Sequence, residues 1–136
     1  MQKVLKRIIS VLFTLILVSS IGAVCASAYS VPAGSKTAVL KSNEHYSYSE
    51  TVVGTFKYIG AKTNKNSNHS MTACSRYFDA SSNSWKYDLK IRVEAGQFFT
   101  MKQTKRFDEA VSWQLYLKPY GAWNSGAQGE GYIWHV

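Results

Sequence analysis

Three features of this 136-residue chain predict an all-β fold, a single antiparallel β-sandwich or small barrel of about seven strands. Its clearest stretches alternate apolar and polar residues with a period of two, the repeat of a half-buried strand. Its breaks are short and rich in Gly, Asn, Ser and Asp, the residues that turns require. After residue 28 no stretch repeats its apolar residues at helical spacing. Residues 106–110 have room for one helical turn at most.

The chain opens on an address. Lys3, Lys6 and Arg7 form a positive stretch, residues 8–24 an apolar run, and Ala26-Ser27-Ala28 a small-residue cleavage pattern. Together they read as a signal peptide over residues 1–28, cleaved near Ala28, which makes the product secreted and extracellular. The run is shorter than the roughly 20 apolar residues of a membrane span, and Ser10, Thr14, Ser19 and Ser20 interrupt it. Cys25 leaves with the signal, because the preceding Gly22-Ala23-Val24 departs from a lipid-attachment pattern. Residues 29–136 are then one secreted domain, and Cys74 alone cannot form an internal disulfide. Every Trp and Tyr lies in this part, so the core is expected to be rich in aromatics.

Within the domain, residues 37–40 and 45–49 have weak strand character. Residues 51–59 are rich in β-branched and aromatic side chains, with Gly54 placed as a bulge. A polar loop over 62–70 leads to a strand at 71–78, and 79–84 makes a hairpin turn. Residues 85–94 then alternate without a break. Strict alternation buries Trp85, Tyr87, Leu89, Ile91 and Val93 and places Lys86, Asp88, Lys90 and Arg92 on the wet face. A second hairpin turn at 94–97 leads to a strand at 98–104. Residues 111–118 repeat the alternation until Pro119-Tyr120-Gly121 ends it. After a Gly-, Ser- and Asn-bearing loop over 122–131, residues 132–136 form a closing strand.

Chemical constellations are sparse. His45, His69 and His135 lack the close spacing of a metal-ligand pair, so no metal or other cofactor is expected. Cys74 lies mid-strand, where a thiol packs as a small hydrophobe. The eight carboxylates fall mostly on wet faces and turns, and no catalytic residue is predicted. Charge says more. The whole chain carries +8, and with Lys3, Lys6 and Arg7 removed the domain carries +5. Lys86, Lys90 and Arg92 on one strand face suit an anionic polymer, such as teichoic acid or phospholipid head groups. A secreted protein meets little nucleic acid, so none is expected as partner. Tyr120 and Trp123, on the loop after residue 119, offer rings that stack on sugars.

Two segments, Asn83-Ser84-Trp85-Lys86-Tyr87 and Gly131-Tyr132-Ile133-Trp134, resemble small secreted β-sandwich proteins of Gram-positive bacteria. His69-Ser70 ahead of the strand at 71–78 is similar to bacteriocins of the lactococcin-972 type. That resemblance implies interference with cell-wall synthesis and supplies no catalytic residue. The leading expectation is therefore a non-enzymatic secreted protein that binds the bacterial envelope, as a bacteriocin-like toxin or a surface-associated factor. Lys86, Lys90 and Arg92 would contact the anion, and Tyr120 and Trp123 would stack. The alternatives are a stand-alone carbohydrate-binding module and a small hydrolase or thiol enzyme using Cys74.

Overall fold

The computed structural model describes residues 30–135; the expected signal peptide lies outside them. Nine strands and no helix occur among the described residues. They are β1 (Lys36–Leu40), β2 (Ser47–Tyr48), β3 (Val52–Gly54), β4 (Tyr58–Thr63), β5 (Met71–Asp79), β6 (Ser84–Val93), β7 (Phe98–Gln103), β8 (Val111–Pro119) and β9 (Gly129–Trp134). A four-stranded sheet runs β1-β9-β4-β7. A five-stranded sheet runs β2-β8-β5-β6, with β3 also paired to β8. Every pairing is antiparallel. The two sheets pack face to face without closing into a barrel, so the expected sandwich is the fold.

Alternation in β8 builds one wall of the core. Trp113, Leu115 and Leu117 are fully buried, while Ser112, Gln114, Tyr116 and Lys118 lie between them on the other face. Across the gap stand Ile59 and Ala61 of β4, Ile133 of β9, and Ala38 and Leu40 of β1. Trp113 also satisfies its indole N–H, donating to the Gly54 carbonyl at 2.8 Å, which a buried indole requires. Gly131 lets the sheets approach closely. A Cβ there would come 2.5 Å from Leu115 Cδ2.

Several boundaries differ from the sequence expectation. Residues 51–59 do not make one strand with a bulge at Gly54. β3 ends at Gly54, the chain crosses between the sheets at Phe56 and Lys57, and β4 begins at Tyr58. The last strand starts three residues early, at Gly129, because β1 and β4 both pair with it there. Residues 106–110 make no helical turn and have no regular structure, with a bend at Asp108 and Glu109. The turn at 94–97 forms, with Gln97 N–H donating to the Glu94 carbonyl at 3.0 Å and Gly96 at φ 73°. It is not the expected hairpin, because β6 and β7 lie in different sheets and the turn carries the chain between them.

The largest departure lies in β6. Lys90 pairs with Cys74 and Tyr87 with Arg76, so Asp88 and Leu89 together oppose Ser75. This is a β-bulge, and one extra residue turns every later side chain to the opposite face. Leu89, Ile91 and Val93 face the core. Trp85 and Tyr87 face outwards instead, and Tyr87 is 58% exposed. Lys86 consequently does not share a face with Lys90 and Arg92. It pairs with Tyr77 on the core side of the sheet and forms an ion pair with Asp79. Ser75, fully buried, holds the bulge by accepting the Leu89 N–H at 3.0 Å.

Candidate functional site

The outer face of the five-stranded sheet is laid out in rows by strand register. Thr72 on β5 lies between Arg92 of β6 and Lys118 of β8, and Cys74 lies between Lys90 and Tyr116. Residues directly opposite one another in an antiparallel ladder point to the same face. This register gathers three cationic side chains at one end of the face. The chain leaves β8 at Pro119, and Tyr120 N–H donates to the Ser70 carbonyl at 3.0 Å, pinning the loop over that end. Gly121, at φ 88°, sits in the left-handed region that favours glycine and turns the chain back. Trp123 then stacks on His45, ring centres 4.3 Å apart and planes 10° from parallel.

The result is a cleft of about 230 Å³ lined by His45, Thr72, Lys90, Lys118, Pro119, Tyr120, Gly121 and Trp123. No ion-pair partner holds Lys90 or Lys118 among the described residues. The Thr72 hydroxyl is 98% buried as a residue and has no hydrogen-bond partner. A buried hydroxyl without a partner costs free energy, and a ligand atom in the cleft would supply one. Tyr120 and Trp123 are 48% and 52% exposed. The cleft thus offers two bare ammonium groups, a hydroxyl and two half-exposed rings, one face of Tyr120 being taken by Arg92 and one of Trp123 by His45. That set can hold an acidic group and stack on a ring beside it.

Of the residues expected from sequence, Lys90, Tyr120 and Trp123 meet in this cleft. Arg92 lies at its edge in a supporting role. Its guanidinium sits 4.0 Å over the Tyr120 ring, and its Nε donates to Glu94 Oε1 at 2.7 Å. Lys86 is elsewhere, beyond the bulge. Lys118 and Thr72 are not singled out from the sequence, and His45 is weighed there only as a metal ligand. Lys118 had a signal, since it ends the wet face of the second alternating strand. Thr72 and His45 had none, because only tertiary pairing brings them here.

Cys74 is 3% exposed. Burial pushes its thiol up from the ordinary value, against the opposing pull of Lys118 and Lys90, so at neutral pH it stays protonated and poorly nucleophilic. Among the described residues no three His, Cys, Asp or Glu side chains converge as around a metal ion. A larger cavity of about 460 Å³ lies at the other end of β5, between the 79–80 turn and residues 107–112. Lys105 already lies against two of its aromatic rings, Nζ 3.9 Å from the Tyr77 ring centre and 4.5 Å from that of Phe107.

No protein-family model matches the chain, and no curated protein matches it. Among solved structures it is similar to PirA, at 14% identity over 79% of this chain and 97% of that one, with a TM-score of 0.43. It is also similar to a mitogen derived from Yersinia pseudotuberculosis, at 14% identity over 76% of this chain and 75% of that one, TM-score 0.41. A third likeness is to the CBM22-1–GH10 modules of Clostridium thermocellum xylanase 10B, complexed with xylohexaose. There the identity is 14% over 76% of this chain and 25% of that one, TM-score 0.40. Likenesses this distant carry no functional argument, so the residues of the cleft must supply it.

Proposed function

We propose that this protein is a secreted, non-enzymatic binder of the bacterial envelope that takes an anionic polymer of the wall or membrane surface into the cleft. One observation carries the reading. Lys90 and Lys118, without ion-pair partners among the described residues, stand beside the exposed rings of Tyr120 and Trp123 and the unpartnered Thr72 hydroxyl. The lysines meet the acidic group, and the rings pack against the polymer next to it. Arg92 holds Tyr120 in place.

The test is retention of the purified protein on isolated Gram-positive cell walls, intact or stripped of anionic polymers, across a salt series. Retention should need the anionic polymers and fall as salt rises towards 1 M, where the screening length is about 3 Å. Lys90→Gln and Lys118→Gln should each weaken it by about two- to fivefold, the worth of an exposed ion pair. Retention that ignores both salt and these substitutions overturns the reading. If it is then lost in Trp123→Ala, the exposed ring favours the second reading, a stand-alone carbohydrate-binding module for neutral glycans. A bacteriocin-like role is the finer proposal, and growth inhibition of Gram-positive cells, abolished by the same lysine substitutions, tests it.

A further inference from the structure

We propose that the polymer held in the cleft runs on across the outer face of the five-stranded sheet, where Tyr46, Tyr48, Tyr87 and Tyr116 form a ledge for its sugar rings. This rests on the binding reading above and narrows the ligand. The occupant is a chain carrying both sugar rings and acidic groups, rather than a bare polyol phosphate.

Register makes the ledge continuous with the cleft. Tyr116 stands two residues before Lys118 on the same face of β8, about 7 Å along the strand, and shares the Cys74 row with Lys90. Tyr48 lies opposite Tyr116 across the β2–β8 ladder, with ring centres 4.9 Å apart and planes 25° from parallel. Tyr46 leans on both, at 5.2 Å and 6.1 Å. Tyr87, turned outwards by the β6 bulge, comes to 5.8 Å from Tyr116. Tyr46, Tyr48 and Tyr87 are 55%, 38% and 58% exposed, and grouped exposed aromatics mark a binding surface. Within the ledge the Arg76 guanidinium lies 3.9 Å over the Tyr48 ring and 4.7 Å over that of Trp85 and donates to Gln114 Oε1 at 2.6 Å.

Two features select a glycan as occupant. The ledge is made of Tyr, Trp, Arg and Gln side chains, none aliphatic, so each tyrosine keeps a hydroxyl for a sugar hydroxyl while the most exposed rings, Tyr46 and Tyr87, pack on the sugar's C–H groups. Arg76, Lys90 and Lys118 have no ion-pair partner among the described residues, and this charge suits acids repeated along a chain.

The experiment is calorimetric titration of the full chain with galacturonic acid, oligogalacturonates of increasing length, and poly(glycerol phosphate) oligomers of matched charge. Affinity for the oligogalacturonates should rise with length by about tenfold, the gain from one or two ring contacts. Tyr48→Ala with Tyr87→Ala should remove that rise and leave the single unit bound as before. Tyr48→Phe with Tyr87→Phe should keep most of it, which separates lost rings from lost folding. Poly(glycerol phosphate) binding should be indifferent to the tyrosine substitutions. No rise with length, or a rise that survives the alanine pair, overturns the ledge. Lysine-dependent binding of the single unit would then still uphold the cleft, and single-unit binding unmoved by Lys90→Gln and Lys118→Gln would overturn the cleft instead.

Discussion

Lys57 works against the fold that contains it. It is 3% exposed, has no ion-pair partner among the described residues, and burial lowers its pKa from the ordinary 10.5. Its charged form is the one penalised. The cost is therefore full below the folded-state pKa and fades as pH rises from there towards 10.5. Lys57→Met should raise the unfolding free energy at neutral pH by about 1 kcal/mol, and the gain should shrink in alkaline denaturation series. Ser75 works the other way. Its buried hydroxyl accepts the Leu89 N–H that the bulge leaves outside the ladder. Ser75→Ala should cost about 1–3 kcal/mol, the penalty of an unsatisfied buried group, read from urea midpoints with the slope unchanged.

Strand-level packing sets tighter limits than residue chemistry. Gly129 begins β9 where it meets β4, and a Cβ there would stand 2.4 Å from the Lys62 carbonyl oxygen and 2.7 Å from Met71 Sδ. The methionine can yield, but the carbonyl belongs to the ladder. Gly129→Ala should therefore destabilise by about 1–3 kcal/mol, seen as a lowered Tm. The turn between β5 and β6 is governed by charge. Asp79 accepts from the Ser81 backbone N–H at 3.0 Å and from the Ser82 hydroxyl at 3.0 Å, and it pairs with Lys86. Lys86 and these serines hold its carboxyl well below the usual range. Because that pKa is depressed, the contribution is present above the ordinary value of 3.8 and is lost as pH falls through the folded-state value. The stability difference between wild type and Asp79→Asn should vanish in strong acid, in denaturation series run at successively lower pH.

At the scale of the whole molecule, the sandwich stands without a disulfide, since Cys74 is a free, buried cysteine. Its shielded, protonated thiol makes it a probe of opening. Alkylation by iodoacetamide should be slow in the native state and accelerate in proportion to the unfolded population across a urea series. Rapid modification of the folded protein would instead mean that the sheet opens locally around β5. The same burial argues against the thiol-enzyme reading, for the nucleophile would have to be uncovered first.

Much of this architecture was legible from the sequence. Period-two alternation at residues 85–94 and 111–118 placed two strands of one sheet, and turn residues placed the β5–β6 hairpin, whereas the turn at 94–97 carries the chain from one sheet to the other instead of closing a second hairpin. Lys90, Tyr120 and Trp123 were visible as a charged strand position and loop rings, because wet faces and irregular loops declare themselves locally. Their convergence was not legible, since it depends on Thr72 pairing with Arg92 on one side and Lys118 on the other, contacts between residues far apart in the chain. Nor was the bulge at Asp88 and Leu89, because it arises in the pairing of β6 with β5 while the alternating pattern runs through it unbroken. One unpaired residue separated Lys86 from Lys90 and turned Tyr87 outwards. By itself, then, the sequence determined the fold class, most of the strands and the residues rich in charge and aromatic surface. Tertiary structure alone decided which of them share a face, because facing is set by long-range register, and a one-residue shift reverses it.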